Sequence, residues 1–171
     1  GAQIVAAEAA QGEVCQAAND NDPNQVVVSG HRSAVERAVE IAKAHGAKRA
    51  MLLPVSAPFH SSLMRPAADV MAQALADASM TAPEIPVVAN VRAVAVDVND
   101  IKTLLVEQIT GSVRWRESVI WMSGAGVTEV WEIGAGKALT GMVKRIDRSI
   151  ATRTIGTPGD VVAAAAVLNE G

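Results

Sequence analysis

Helix-forming and strand-forming stretches alternate along nearly the whole of this chain, and that alternation constrains its fold more than any other feature. Residues 2 to 10 (AQIVAAEAA) favour a helix that Gly12 stops. Glu13 to Ala18 and Gln25 to Ser29 read as two short strands joined by a polar turn, Asn19 to Asn24. Ser33-x-x-Glu36 has the form of a capping box. It precedes Val35, Ala38, Val39 and Ala42, whose spacing lays one apolar stripe on a helix that Gly46 can end. Lys48 to Leu53 (KRAMLL) then reads as a further strand. Residues 1 to 53 thus run helix, strand, strand, helix, strand. One more strand in front makes this the split βαβ order of ferredoxin-like domains, in which the first strand is central to the sheet, and that central strand is expected to be missing here.

Pro54 and Pro58 mark a change of pattern. Helices are expected at about Leu63 to Ala78, Asp100 to Gln108, Arg114 to Gly124 and Lys137 to Ile146. Strands are expected at Pro86 to Asn90, Thr128 to Ile133 and Ala151 to Ile155, and an alanine-rich helix closes the chain from Gly159. Strands separated by helices point to an α/β layer with parallel pairing. No internal repeat or low-complexity linker interrupts it, and 171 residues suffice for one compact body or two small ones.

Composition sharpens this picture. Half the residues are apolar, dominated by alanine and valine, while the aromatic residues are only Phe59, Trp115, Trp121 and Trp131. The core must therefore be built from small side chains between closely spaced layers. Fifteen Lys and Arg against eighteen Asp and Glu leave a net charge of -3, without the positive surplus that general nucleic-acid binding needs. The single cysteine, Cys15, allows no internal disulfide and no cysteine-built zinc site, which fits a reducing compartment, with cytoplasm as the expectation. No apolar run reaches the length of a membrane span, and residues 1 to 18 lack the pattern of a secretory signal.

Few residues could carry chemistry. His60, in PVSAPFHSSLMRPAAD, sits where a proline-broken segment meets a helix that Pro66 can help to start. Its imidazole suits a general acid/base, which exchanges protons near neutrality, and it equally fits a solvated loop histidine. His31 and His45 fall at helix ends, where capping or surface roles are expected. Ser61 and Ser62 adjoin His60, but neighbours on a starting helix point apart, so a helix-capping role is expected for them. No G-x-S-x-G nucleophile elbow occurs in the sequence. The glycine turn in EVWEIGAGKALTGMVKRI could present backbone N–H groups to an anion, or serve tight packing only. Lys137, Lys144, Arg145 and Arg148 cluster along the following helix, as a solvated face or as an attractor for an acidic partner. No metal-ligand spacing is present, and Asn19 to Asn24 lacks the glycine and final glutamate of a calcium loop.

Four segments, in this order, carry a family resemblance: NDNDPNQVVVSGH, GAKRAMLLPVSAPFHSSLMRPAAD, LLVEQITGSVRWRESV and EIGAGKALTGMVKRI. Together they make the chain resemble the malonyl-CoA:acyl-carrier-protein transacylase family of fatty-acid synthesis. The resemblance implies an α/β fold, with a ferredoxin-like small domain inserted in an α/β-hydrolase-like large acyltransferase domain. Residues 1 to 53 would be most of the small domain, and residues 54 to 171 the C-terminal part of the large one. It implies too that an N-terminal portion bearing the oxyanion segment, the nucleophilic serine and the malonyl-pairing arginine lies outside this sequence.

By the same resemblance the chemistry is ping-pong, from malonyl-CoA to serine and then to the pantetheine thiol of acyl carrier protein, with no cofactor beyond the substrate. The family's histidine maps onto His60 through F-H-S-S-L-M. Its imidazole would be oriented by the main-chain carbonyl of Gln108 in place of a triad carboxylate. Asn21 matches a polar position beside the acyl pocket, and Phe59 would narrow the room beside the substrate's α-carbon, favouring malonyl over methylmalonyl. Pro58 and Ala135 depart from the family's commonest spelling. Two alternatives share these motifs: the acyltransferase region of a polyketide-type assembly, and a catalytically incomplete module that docks the carrier protein.

Overall fold

In the computed structural model residues 1–169 are described. They fold as two compact units, the first ending at Ser118 and the second beginning at Val119.

The first unit opens with α1 (Ala2–Ala10), β1 (Cys15–Asp22), β2 (Gln25–Gly30) and α2 (Arg32–Ala44). Gln11, with a left-handed backbone, and Gly12, at φ 90°, end α1 and reverse the chain into the hairpin. β1 and β2 pair antiparallel from Cys15↔Gly30 to Asp22↔Gln25, with irregularities at Ala17/Asn19 and Asp20/Asp22. The connection is therefore only Pro23 and Asn24, shorter than the expected polar turn. The extra residues in β1 are absorbed as bulges, and the Asp22 carboxylate accepts the Asn24 N–H at 2.8 Å.

Both helices lie against this hairpin on alanine. Ala6 and Ala9 of α1, Ala34 and Ala38 of α2 and Cys15 of β1 form one buried cluster, joined by Val5, Val28 and Ile41. Small side chains let the two helices approach closely, as the composition demands. Arg37 closes the far end: its guanidinium donates to the Ala9 and Ala10 carbonyls at 2.9 and 3.0 Å and to the Glu13 carboxylate at 2.7 Å. The last carbonyls of α1, which have no partner within the helix, are thereby satisfied. Contact with the Ser33 hydroxyl and then with Arg37 holds the Glu13 carboxyl below its usual range.

Ser33 is consequently not a cap. α2 begins two residues earlier than the capping box implies, with His31 at the N-cap, and Glu36 pairs with Arg32 at 2.9 Å. The pull of Glu13 on the Ser33 hydroxyl, at 2.7 Å, outcompetes the local motif. His31 accepts the Val14 N–H on Nδ1 at 2.9 Å, and His45 lies at the other end of α2, 3.3 Å from Glu8, so both occupy helix ends as expected. At that end the Gly46 N–H donates to Lys43 and the Ala47 N–H to Ala42, closing the helix in a Schellman motif.

Two expected strands do not form. Lys48 to Leu53 is irregular and exposed along most of its length, because it has no strand to pair with: the sheet of this unit consists of β1 and β2 alone among the described residues. Pro86 to Asn90 forms no ladder beyond an antiparallel bridge between Val88 and Ala95, because the chain turns back at Ala93, whose φ is 57°. The helices are as read: a short 3₁₀ turn at Ser62–Met64 leads into α3 (Arg65–Ala76), and α4 (Ile101–Thr110) and α5 (Trp115–Gly124) follow.

The second unit holds β3 (Glu129–Ile133), α6 (Ala138–Ile146), β4 (Ala151–Ile155) and α7 (Pro158–Asn169). β3 and β4 pair in parallel from Glu129↔Ala151 to Ile133↔Ile155, as strands joined through a helix can. Val119, Val143, Ile150, Ile155 and Ala164 supply its buried apolar side chains. The mixed α/β class is thus as expected. No helix among the described residues is long and apolar enough to cross a membrane.

Candidate functional site

The end of α4 generates the most distinctive polar arrangement in the chain. A helix leaves its last carbonyls without intrahelical partners. The Gly111 N–H returns to the Glu107 carbonyl at 2.9 Å, which leaves the next carbonyl, that of Gln108, open. His60 takes it: Nδ1 lies 2.8 Å from Gln108 O and 3.2 Å from Gly111 O. Both partners are carbonyl oxygens, which only accept, so Nδ1 carries the proton and the unprotonated electron pair of the neutral ring falls on Nε2.

His60 reaches this position by an uncommon backbone route. Its φ is 57°, in the left-handed region, which costs a non-glycine residue about 1–3 kcal/mol. Its neighbour helps to hold it there, because fully buried Ser61 donates its hydroxyl to the Pro58 carbonyl at 2.7 Å. The Ser62 N–H donates to the Gln16 side chain at 2.6 Å, tying the turn to β1. The expected capping role of Ser61 and Ser62 is not realised by their hydroxyls: the 3₁₀ turn has no side-chain cap, and Ser61 contributes only its carbonyl, to the Met64 N–H at 3.0 Å. Ser61 is committed to holding the loop, since its hydroxyl points at Pro58.

Sequence reasoning missed two residues of this site. Gly111 supplies the second carbonyl facing His60, and a Cβ there would meet Glu107 O and Val91 Cγ1, each at 2.9 Å. Asn90 donates its side-chain amide to Gln108 Oε1 at 3.1 Å, and its carbonyl accepts the Arg114 N–H at 3.0 Å. The available signal for the first was a glycine directly after a helix whose last turn holds Gln108. For Asn90 there was none, because its partner lies eighteen residues away.

Residues 112 to 116 carry the site over to the hairpin. The Asp20 N–H donates to Val113 O at 2.9 Å, the Val113 N–H to Ala18 O at 2.8 Å, and Arg116 donates to the Asp20 carboxylate at 2.6 Å. Asn21 follows Asp20 within β1, at the second irregularity, rather than in a turn. The structure therefore brings His60 and Gln108 into direct contact; Phe59, the neighbour of His60 in the chain, is 46% exposed. Asn21 is linked to the pair through the hairpin and residues 112 to 116. Nearby, Arg114 pairs with Glu117, and this contact holds the Glu117 carboxyl below its usual range.

The glycine turn before α6 has a different fate from anion binding. Glu132, at the end of β3, accepts the N–H groups of Leu139 and Thr140 at 3.1 and 2.7 Å. Hydrogen bonding from Thr140, followed by that from Leu139, holds its carboxyl below the usual range. A carboxylate of the chain itself thus occupies the N-terminus of α6 where an external anion would sit, and packing is the turn's role. Lys144 and Arg145 lie in the last turn of that helix, where cations complement the helix dipole.

Comparison with known proteins adds an independent line. No protein-family model matches the chain. It is 46% identical over 158 residues to the malonyl CoA-acyl carrier protein transacylase of Escherichia coli, covering 92% of this chain and 51% of the relative. The Bacillus subtilis protein of the same name is 42% identical over 161 residues, 94% of this chain and 51% of the relative. Among solved structures, the acyl-carrier-protein-S-malonyltransferase of Bartonella henselae is 49% identical at a TM-score of 0.92, covering 98% of this chain and 54% of that one. A type II PKS acyl-carrier protein in complex with its malonyl-transacylase matches at 39% identity and a TM-score of 0.91, over 95% and 53% of the two chains. This chain spans about half the length of the relatives it matches.

Proposed function

We propose that this chain, a homologue of malonyl CoA-acyl carrier protein transacylases over about half their length, supplies the proton-moving half of such an enzyme. The protein it serves moves malonyl groups from malonyl-CoA to acyl carrier protein through a serine ester, the serine being contributed by polypeptide outside these 171 residues. The observation that carries the reading is the bond from His60 Nδ1–H to the main-chain carbonyl of Gln108 at 2.8 Å.

With its proton held on Nδ1, the ring has an electron pair on Nε2 to accept a hydroxyl proton. The serine oxygen then attacks the malonyl thioester, the tetrahedral intermediate collapses, and the proton passes from Nε2 to the departing thiolate of CoA. In the second half-reaction Nε2 takes the proton of the carrier's pantetheine thiol. The thiolate attacks the ester, and the proton returns to the serine. A carbonyl fixes the tautomer as a triad carboxylate does, yet adds no full negative charge, so the imidazolium formed in each half-reaction is less stabilised than beside a buried aspartate. Phe59 narrows the acyl pocket and Asn21 presents its amide to it.

The finer architecture belongs to the same reading: residues 1 to 53 are most of a ferredoxin-like small domain, and residues 54 to 171 the C-terminal part of an α/β-hydrolase-like large domain, in a cytoplasmic enzyme. A polyketide-type role is the second reading, favoured by the similarity to the malonyl-transacylase held in complex with a type II PKS acyl-carrier protein. Assaying transfer to fatty-acid and polyketide carriers side by side separates the two.

The test is His60→Ala in the protein completed with its nucleophile-bearing segment. Serine acylation, followed by mass spectrometry with malonyl-CoA, should fall about 10²- to 10⁴-fold. Near-normal acylation refutes the assignment. The isolated chain should take up no malonyl group, and a label on Ser61, Ser62 or any other residue here would refute the placement of the nucleophile elsewhere.

A further inference from the structure

Residues 90 to 92 cross the end of α4, and each touches a different residue there. Asn90 donates its amide to Gln108 Oε1 at 3.1 Å, and Arg92 donates to the Glu107 carboxylate at 2.9 Å. Val91 Cγ1 lies 2.9 Å from where a Cβ on Gly111 would stand, so its methyl is pressed against that glycine. These contacts surround the two carbonyls, of Gln108 and Gly111, that face His60 Nδ1. The last turn of a helix frays unless groups outside it hold it. Residues 90 to 92 are such groups.

They belong to no helix or strand themselves, so their own carbonyls need partners from elsewhere. Arg114 supplies all three. Its main-chain N–H donates to the Asn90 carbonyl at 3.0 Å, and its Nη1 donates to the carbonyls of Val91 and Arg92, at 3.3 Å each. The other edge of the guanidinium is taken by Glu117, which accepts from Nε at 2.9 Å and from Nη2. A planar fork engaged along two edges has one orientation, which a single surface ion pair would not impose. The main chain is fixed as well, because the Arg114 carbonyl accepts the N–H and the hydroxyl of buried Ser118, each at 2.9 Å.

We propose that Arg114, locked by Glu117, is a positioning residue for His60: it holds residues 90 to 92 against the end of α4 and so keeps the Gln108 and Gly111 carbonyls aimed at Nδ1. It acts through these residues and touches no reacting atom. Without the guanidinium, residues 91 and 92 lose their anchor, Val91 lifts from Gly111, and the carbonyls that fix the tautomer drift from the ring. The proposal rests on the reading of His60 as the proton-moving group.

The experiment compares Arg114→Ala with Arg37→Ala in the full chain. Arg37 forms the same kind of clamp away from the site, on two main-chain carbonyls and one carboxylate. Melting curves give what each clamp contributes to stability. Only Arg114→Ala should shift and broaden the Nδ1 proton resonance of His60 and bring the other ring tautomer into the nitrogen spectrum. In the protein completed with its nucleophile-bearing segment, Arg114→Ala should lower kcat for transfer about 10- to 100-fold with KM for malonyl-CoA unchanged, the cost of a misplacement of about 1 Å. Should Arg114→Ala fail to fold, Glu117→Gln decides, since it keeps an acceptor but weakens the lock; a smaller shift of the same resonance in the same direction is expected. An unmoved resonance in the folded variant, an unchanged kcat, or the same spectral change in Arg37→Ala overturns the proposal. His60→Ala keeps the two readings apart: near-normal acylation there sinks the role of His60 itself, whereas lost acylation there with an unmoved resonance in Arg114→Ala sinks this proposal alone.

Discussion

Replacing Gly30 by alanine is expected to be among the most damaging single-methyl changes in the first unit. Gly30 ends β2 opposite Cys15, and a Cβ on it would lie 1.9 Å from the Val14 carbonyl oxygen, 2.7 Å from the Val14 carbonyl carbon and 2.9 Å from Cys15 Cα. All three atoms are backbone, so no rotamer change relieves the overlap, and Val14 must retreat by more than an ångström. Val14 is tied twice to the start of α2: its carbonyl accepts the His31 N–H at 2.8 Å, and its N–H donates to His31 Nδ1 at 2.9 Å. Losing one such bond costs about 0.5–1.5 kcal/mol, and displacing packed atoms adds about 1–3 kcal/mol, so a loss of about 2–4 kcal/mol is expected. Urea unfolding followed by circular dichroism measures it. Gly124→Ala, where a Cβ meets nothing within 4 Å at the end of α5, is the control and should lie within about 1 kcal/mol of the parent. A Gly30→Ala chain as stable as this control would refute the account of the β2–α2 junction.

Two more outcomes follow from the site and from the cap of α6. Gln108→Ala keeps the main-chain acceptor and loses only the Asn90 contact, so the Nδ1 proton of His60 should remain visible by NMR. Gly111→Ala, forced against Glu107 O, should displace that proton resonance. Glu132 has a folded pKa below its ordinary 4.5, so the stability it contributes is complete above 4.5 and fades as pH falls through the lowered value. Glu132→Gln should therefore unfold more easily than the parent at neutral pH, with the two midpoints converging in acid, and a gap that persists or widens in acid would contradict the cap.

Much of the element order was legible because periodicity is local: α1, α2, α4, β3, α6 and β4 lie close to where apolar spacing, glycine stops and β-branched runs put them. What escaped depended on contacts distant in sequence. The capping box at Ser33 failed because Glu13, twenty residues earlier, offers its hydroxyl a stronger acceptor. Lys48 to Leu53 has strand composition but no strand to pair with, and composition alone cannot provide a neighbour. At the site, His60 stood out by its place between a proline-broken segment and a helix, whereas its pairing with Gln108 came from resemblance, since nothing in local spacing joins residues forty-eight apart. The tautomer, Gly111 and Asn90 became visible only once the end of α4 was in place.

That helix end has a consequence for how such a protein can diversify. Because the acceptor for the imidazole is main chain, the letter at position 108 is chemically free, whereas the number of residues before it is not. Each residue added to or removed from Ile101–Gln108 would swing the carbonyl about 100° around the helix axis, away from the ring. Point changes at position 108 keep that acceptor in place; a single-codon insertion or deletion breaks the alignment at once.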